Sequence, residues 1–151
     1  KIGVDGFIIV DVPPEESDEI APKAQQNGIA FIRLLTPTTD EARLGTILKD
    51  AGGFLYYVSI AGVTGTASAD PAKVGAHIAM IKKHTALPVV AGFGIKTPAD
   101  ASAMAQIADG VVVGSALVQE IESARTGANL PQLLGEKAAA LTAALKQKKA
   151  A

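Results

Sequence analysis

Two glycine-containing segments of the chain have the composition of loops that hold a phosphate. Gly92-Phe93-Gly94-Ile95 and Gly114-Ser115-Ala116 each follow a short apolar run and precede a segment that favours a helix. Glycine lets an anion approach the backbone closely, and the free N–H groups at a helix N-terminus attract negative charge. Each motif alone is a weak signal, because glycine turns also serve packing. The ordered pair favours a phosphate site.

Two further segments could take part in chemistry. Asp11 is the one carboxylate at the predicted carboxyl end of an apolar strand. It would serve there as a general base or a docking residue, or it would cap the helix that follows. Residues 59–69 are small and polar and include two glycines. That composition favours a mobile lid over a ligand, with a plain flexible connection as the alternative.

The aromatic residues next to that segment are expected to separate. Tyr56 and Tyr57 are adjacent in a predicted strand, and neighbouring side chains of a strand point to opposite faces. One tyrosine should therefore face the inside of the sheet and the other the helices. His77 and His84 lie on a predicted outer helix, and we interpret both as solvated or helix-end histidines.

The composition excludes several classes of function. The formal net charge is −1, so no basic field favours nucleic acid or an anionic membrane. The chain has no cysteine and only two histidines, which argues against a metal site. No apolar run approaches the length that spans a bilayer. Hydrophobic residues make up 48% of the chain, as expected for a parallel sheet that is covered on both faces.

Strand-like and helix-like segments alternate along the whole chain. The apolar runs predict strands at Gly6–Val12, Ala30–Leu35, Phe54–Ser59, Pro88–Ala91 and Gly110–Val113. The amphipathic segments predict helices at Glu15–Asn27, Asp40–Ala51, Pro71–Lys83, Pro98–Ala108 and Pro131–Lys148, with a short helical turn from Gly114. Regular alternation of this kind predicts right-handed crossovers and a parallel sheet.

The spacing of these units favours a barrel over a doubly wound sheet. One unit recurs about every 25–30 residues, close to the repeat of an eightfold barrel. The segments Val4–Val10 and Ala108–Gly114 are near-copies of each other, which suits a fold built by repetition. We therefore expect residues 1–151 to form a single α/β domain, the C-terminal five β/α units of a parallel (β/α)8 TIM barrel. The chain begins at Lys1 without a methionine, so we expect a truncated N-terminus.

In their order along the chain, the motifs resemble those of the tryptophan synthase alpha subunit family. The matching segments are 10–16, 36–39, 54–59, 62–65, 88–89, 92–95 and 108–116. Tyr-Tyr-Val-Ser followed by Gly-Val-Thr-Gly and then Gly-Phe-Gly-Ile is specific to that family. Indole-glycerol-phosphate synthase and phosphoribosyl-isomerase barrels share only the last two loops.

The resemblance implies a carbon–carbon lyase of tryptophan biosynthesis. Such an enzyme cleaves indole-3-glycerol phosphate into indole and glyceraldehyde 3-phosphate. The resemblance implies that the substrate-binding residues are Tyr56, Thr64, Gly65, Phe93, Gly94, Gly114 and Ser115. Tyr56 would line the indole pocket, Thr64 and Gly65 would belong to the lid, and the phosphate would lie on Gly65, Gly94, Gly114 and Ser115. Ile8, Val10 and Val112 would form the apolar wall of the pocket.

The resemblance also implies which catalytic groups, partner and cofactor lie outside this chain. The two catalytic carboxylates of the family correspond to positions upstream of Lys1, so we expect no catalytic residue in this chain and no turnover by it. Asp11 and Pro13 match the region that meets the beta subunit in a cytoplasmic alpha2beta2 heterotetramer. Pyridoxal phosphate is expected only on that partner, and this chain is expected to carry no cofactor and no metal.

Two other functions remain open at this point. The chain could belong to another phosphate-binding barrel enzyme, such as a sugar-phosphate isomerase or epimerase, or it could be a non-catalytic half-barrel binding module. In each case the outer predicted strands, Gly6–Val12 and Gly110–Val113, would have a free edge. We therefore expect the chain to self-associate or to retain its missing N-terminal part.

Overall fold

The computed structural model describes residues 3–59, 70–92, 94–123 and 129–146. The described strands are β1 Gly6–Phe7, β2 Ala30–Phe31, β3 Arg33–Leu35, β4 Leu55–Val58, β5 Val89–Gly92 and β6 Gly110–Val112. The α-helices are α1 Ala21–Gln26, α2 Glu41–Leu48, α3 Pro71–Ile81, α4 Pro98–Ala105, α5 Ser115–Ser123 and α6 Leu130–Lys146. A 3-10 helix, Pro14–Glu19, precedes α1.

Each described strand pairs in parallel with a neighbour in the sequence. β1 pairs with β2, and β3, β4, β5 and β6 form a four-stranded sheet in that order. A doubly wound sheet reverses its strand order at a switch point, whereas a barrel keeps its strands in chain order. The unreversed order confirms the predicted α/β class and agrees with the barrel.

The predicted strand Ala30–Leu35 divides at Ile32. Its first part pairs with β1, its last part pairs with β4, and the N–H of Ile32 donates to the carbonyl oxygen of Phe7 at 3.0 Å. The chain therefore passes from a two-stranded sheet into a four-stranded one within a single extended segment. One predicted strand thereby becomes two.

Side-chain caps explain where three of the helices begin. The carboxylate of Asp40 accepts from the N–H of Arg43 at the start of α2, and that of Asp70 accepts from the N–H of Ala72 at the start of α3. Thr97 and Asp100 form a reciprocal capping box at the start of α4. These contacts satisfy N–H groups that a helix leaves free at its N-terminus, and they confirm the predicted helix starts.

Two predicted elements differ from the structure near the N-terminus. The predicted helix Glu15–Asn27 is a 3-10 helix followed by α1, and the prediction overlooked Pro22, which lies in the first turn of α1. Proline cannot donate a helical hydrogen bond and its ring clashes with the preceding turn, so the helix restarts there. The predicted strand Gly6–Val12 is paired only at Gly6 and Phe7, because β2 offers only two partners.

The main core lies between the four-stranded sheet and the helices. It contains buried residues from β3, α2, β4, α3, β5, α4 and α6, including Leu35, Tyr57, Ile78, Val89 and Leu141. The predicted helical turn after Gly114 is a nine-residue helix, α5, which contacts α6. Among the residues described, none of the helices is both long and apolar enough to cross a membrane.

Candidate functional site

The two glycine loops follow neighbouring strands. Gly92, at the end of β5, is the register partner of Val112, at the end of β6. Gly94 and Gly114 each come two residues after one of these partners. Because the strands are parallel, both loops leave the sheet at the same edge, where barrels bind phosphate. The structure therefore brings Gly94 and Gly114 to neighbouring positions.

Gly94 and Gly114 have different backbone requirements. Gly94 has a φ of +80°, a conformation that residues with a Cβ rarely adopt. Gly114 has no positive φ, and an added Cβ there would meet no atom within 4 Å. Both residues are exposed. Gly94 thus shapes its loop, whereas Gly114 leaves open space above its backbone.

Ser115 begins helix α5 directly after this open space. The N–H groups of Leu117 and Val118 donate to the carbonyl oxygen of Gly114 at 2.9 and 3.2 Å. Gly114 is therefore the N-cap, and the N–H groups of Ser115 and Ala116 precede the first helical hydrogen bond. Free N–H groups and the positive end of the helix dipole at an exposed position can hold an anion.

Tyr56 lies on the opposite face of the sheet from the main core. Its ring covers Gly92, so closely that a Cβ at position 92 would lie 2.3 Å from Cε2 and from Oη of Tyr56. Burial raises the pKa of the Tyr56 phenol. Sequence reasoning assigned Gly92 only to the anion loop, although a glycine at a strand end also signals a close approach of this kind.

Tyr57 points the other way, toward the helices. It is 1% exposed, and its hydroxyl lies 3.0 Å from Nδ1 of His77 on α3. The predicted separation of the two tyrosines is therefore confirmed. The interpretation of His77 as a solvated or helix-end histidine is wrong, because it lies within α3 and its Nε2 also lies 2.7 Å from the carbonyl oxygen of Thr39. The carbonyl only accepts, so Nε2 donates to it, and in the neutral ring Nδ1 accepts from Tyr57.

The three residues expected to form the apolar wall are not equally close to the loops. Val112 lies beside Gly92 at the end of β6. Ile8 and Val10 follow β1, at the other end of the strand order. They are 39% and 72% exposed. Only Val112 is brought beside the phosphate loops by strand pairing within the described residues.

Asp11 and Pro13 lie in the turn between β1 and the 3-10 helix. Asp11 is exposed, Pro13 occupies the N-cap position, and no side-chain hydrogen bond caps this helix. The alternative in which Asp11 caps the following helix is therefore wrong. The carbonyl oxygen of Val12, between the two residues, accepts from Nη1 of Arg33 at 3.3 Å. Sequence reasoning missed Arg33, and the signal for it was a charged residue inside an otherwise apolar strand.

Some of the predicted site lies outside the described residues. Thr64, Gly65 and the rest of the predicted lid from residue 60 to residue 69 belong to this group, as does Phe93. Within the described part of the chain, no group of three or more His, Cys, Asp or Glu residues could hold a metal ion.

A family model and the curated relatives of this chain point to the same family. The family model described as "Tryptophan synthase alpha chain" matches residues 1–149. A curated tryptophan synthase alpha chain from Caulobacter vibrioides is 56% identical over 124 residues, which cover 82% of this chain and 45% of that protein. The chain therefore spans about half the length of the curated relatives it matches.

Solved structures agree with this similarity. The crystal structure of tryptophan synthase subunit alpha from Legionella pneumophila str. Paris matches with a TM-score of 0.83 and 38% identity, covering 96% of this chain and 53% of that chain. The tryptophan synthase complex from Pyrococcus furiosus matches with a TM-score of 0.73 and 30% identity, covering 93% of this chain and 55% of that chain.

Proposed function

Because the chain belongs to the tryptophan synthase alpha chain family, we propose that it functions as part of a lyase subunit. The reaction is the cleavage of indole-3-glycerol phosphate to indole and glyceraldehyde 3-phosphate in tryptophan biosynthesis. The observation that carries the proposal is the register of Gly92 with Val112. That register supports two glycine loops acting together on one phosphate, beside a tyrosine suited to an aromatic substrate.

The phosphate of the substrate binds between Gly94 and Gly114-Ser115. The N–H groups at the start of α5 donate to its oxygens, and the helix dipole favours its charge. The open space above Gly114 supports this role, because nothing within 4 Å would obstruct an oxygen there. Gly65 completes the phosphate site in this proposal.

The indole of the substrate binds on the face of the sheet that carries Tyr56. Val112 forms the apolar wall beside the phosphate loops, and Ile8 and Val10 form the opposite wall. Their exposure supports this role, because side chains 39% and 72% exposed remain free to contact a ligand or another part of the enzyme. Phe93 lines the same cavity, and Thr64 belongs to a lid that closes over it.

The carbon–carbon bond is broken by groups outside this chain. A retro-aldol step needs one carboxylate to move protons at the carbon that is cleaved and another to balance charge on the indole nitrogen. Neither is assigned to a residue of this chain. The chain supplies phosphate binding, an aromatic contact and exclusion of water, and the 151 residues alone do not turn over.

A beta subunit is the partner that consumes the indole. Asp11 and Pro13 contact it, as part of an alpha2beta2 assembly in the cytoplasm. The exposure of Asp11 supports this role, and so does the existence of a tryptophan synthase complex among the structural relatives. Pyridoxal phosphate belongs to the beta subunit, and the alpha chain needs no cofactor of its own.

Release of indole from indole-3-glycerol phosphate tests the proposal. The complete gene product and the 151-residue chain should be assayed side by side. We expect the complete product to release indole and the 151-residue chain to release none, while both bind glycerol 3-phosphate in calorimetry. Glycerol phosphate binding without indole release by the complete product would contradict the lyase and favour another phosphate-binding barrel enzyme.

A further inference from the structure

Arg33 is a buried cation that the proposed function does not use. The residue is 4% exposed, and it lies on the helix side of β3, in the same alternation as the core residue Leu35. Its Cζ lies 4.1 Å from the centroid of the Phe31 ring, and Nη1 donates to the carbonyl oxygen of Val12 at 3.3 Å. The guanidinium thus holds the backbone of the turn that carries Asp11 and Pro13.

The counter-ion of Arg33 reaches the same turn by a second route. Oδ2 of Asp50 lies 3.7 Å from Nη2 of Arg33 and 2.6 Å from Oγ of Ser17. Ser17 is completely buried, and its Oγ also lies 2.8 Å from the carbonyl oxygen of Pro14. The network therefore fixes both ends of the 11–17 segment, with Val12 held at the start and Ser17 at the end.

This arrangement is costly as a source of stability. Burial lowers the pKa of Arg33, and the carboxylates of Asp50 and Glu15 oppose that shift. Nε and Nη2 of Arg33 are buried without a hydrogen-bond partner in the described residues, and each idle donor forgoes its hydration. Replacing a buried ion pair by apolar residues of similar volume is often neutral or stabilising. The network is therefore weak evidence for a role in stability, and its contacts with the 11–17 segment point to a role in geometry.

We propose that Arg33 is a positioning residue that sets the shape of the 11–17 segment and thereby presents Asp11 and Pro13 to the beta subunit. This inference rests on the proposed role of Asp11 and Pro13 in partner binding. On this proposal the buried network sets the backbone geometry of the 11–17 segment. Its loss should lower affinity for the partner without changing the cleavage of substrate by the subunit alone.

The test compares two pairs of charges in the complete gene product. Arg33→Met with Asp50→Asn removes the buried pair. Lys49→Met with Asp18→Asn removes an exposed pair that joins the same 3-10 helix to the end of α2, outside the 11–17 segment, with side chains 67% and 76% exposed. We expect the first variant to bind the beta subunit at least tenfold more weakly and the control variant to bind within twofold of the native protein. Cleavage without the beta subunit should stay within twofold in both.

A thermodynamic cycle separates positioning from a general structural role. If Arg33 acts through the turn, its replacement should change partner affinity less than threefold once Asp11→Ala is present. If the Arg33 replacement still lowered partner affinity tenfold in the Asp11→Ala background, the two effects would be independent and the proposal would be overturned. Native affinity in the buried-pair variant would overturn it as well. If the buried-pair variant does not fold, Arg33→Lys takes its place with the same expected outcomes, because lysine keeps the charge and loses the planar fork.

Amide hydrogen exchange tests the positioning without any partner. The N–H of Glu16 donates to the carbonyl oxygen of Pro13 at 3.0 Å, so it reports the shape of the turn. We expect its protection to fall at least tenfold in the buried-pair variant, while protection of Tyr57 in β4 stays the same. Unchanged protection of Glu16 would overturn the positioning proposal. Failure of the native protein to bind a beta subunit would contradict the proposed function alone, so the two failures can be told apart.

Discussion

Ser115 offers a phosphate two donors, its backbone N–H and its hydroxyl. Ser115→Ala removes the hydroxyl alone, and Ser115→Pro removes both, so the difference between the two variants reports the N–H. Proline fits the first position of a helix, where its missing N–H costs no helical hydrogen bond. Ser115→Pro should therefore keep α5 and bind glycerol phosphate about tenfold more weakly than Ser115→Ala, the worth of about one charge-assisted hydrogen bond. Calorimetry measures the affinity, and circular dichroism checks the helix.

Ser115→Ala is the matched control for that change. It removes the hydroxyl and keeps the N–H, so the loss of affinity should be smaller than with proline if the backbone holds the phosphate. Equal losses in both variants would assign the binding to the hydroxyl. Proline already occupies the first turn of α3 and α4 without breaking either helix.

Gly92 is required by its neighbour and not by its own conformation. An added Cβ would lie 2.3 Å from Cε2 of Tyr56 and 2.7 Å from Cζ, so Gly92→Ala must displace the ring. We expect the free energy of unfolding to fall by about 1–3 kcal/mol, as in other overpacked sites. Urea unfolding measures this, and Gly92→Ala combined with Tyr56→Leu should recover part of the loss.

Gly45 provides the contrasting case within the same experiment. It lies inside α2 with nothing within 4 Å of an added Cβ. Gly45→Ala should therefore raise stability by roughly 0.5–1 kcal/mol, because alanine favours the helix more than glycine does. A loss of stability in Gly45→Ala would show that the space around the two glycines has been misjudged.

At the scale of elements, the capping box of α4 should make stability depend on acid. Burial raises the pKa of Asp100, but hydrogen bonds from the N–H of Lys96 and from the hydroxyl and N–H of Thr97, with the charge of Lys96, outweigh it and lower the pKa. A lowered pKa in the folded state gives stability that is present above the unfolded value and lost as the pH falls through the folded value. The loss should occur between about pH 5 and pH 2.

Asp100→Asn tests this dependence. The variant should melt at a lower temperature than the native chain at pH 7, and the difference should shrink as the pH falls toward 3. Asp18→Asn is the control, because that carboxylate is 76% exposed and pairs with Lys49 at 3.4 Å. A constant difference between Asp100→Asn and the native chain across this range would contradict the prediction.

Local sequence signals predicted the helices and strands better than they predicted the contacts between distant residues. Asp40, Asp70 and Thr97 marked helix starts correctly because a cap acts within a few residues. The division of a strand at Ile32 and the contact of His77 with Thr39 depend on residues far away in the chain. Local patterns contain no information about such contacts, and for that reason the interpretation of His77 was wrong. Arg33 did have a local signal, a charge inside an apolar strand, but its partners Val12 and Asp50 lie far from it in the chain.

At the scale of the whole molecule, the segments on either side of β1 leave apolar side chains uncovered. Val4, Ile8 and Val10 are 46%, 39% and 72% exposed. Fully burying an exposed side chain of this size contributes roughly 1.5–3 kcal/mol, so covering the exposed part of each would contribute roughly half of that. Exposed apolar groups beside a sheet edge favour association. We therefore expect the 151-residue chain on its own to sediment at micromolar concentration with a mass above 15.3 kDa.

Two pairs of lysine substitutions locate the surface responsible. Ile8→Lys with Val10→Lys should shift the chain toward a monomer, because the charges would repel across the associated edge. Val118→Lys with Ile121→Lys, on the exposed side of α5, should leave the association unchanged, although these side chains are 53% and 44% exposed. Association that survives the first pair and disappears with the second would move the contact to α5.

The order of the strands and the position of the glycine loops were predictable because both follow from a repeated unit. Once the strands are parallel and in chain order, Gly94 and Gly114 must leave the same edge. The placement of Tyr56 over Gly92 was not predictable in detail, because it depends on the register of β4 with β5. Register is set by packing across the whole sheet rather than by any one strand.

The passage of the chain between two sheets at Ile32 bears on folding during synthesis. β1 and β2 can pair as soon as residue 31 is available, but a pairing of two residues is marginal in water. The main core begins at Leu35 and is completed only by Leu141 in α6. At ordinary rates of translation those residues are about 5 to 20 seconds apart. During that interval a chaperone on the ribosome would find the apolar strands β2, β3 and β4 uncovered.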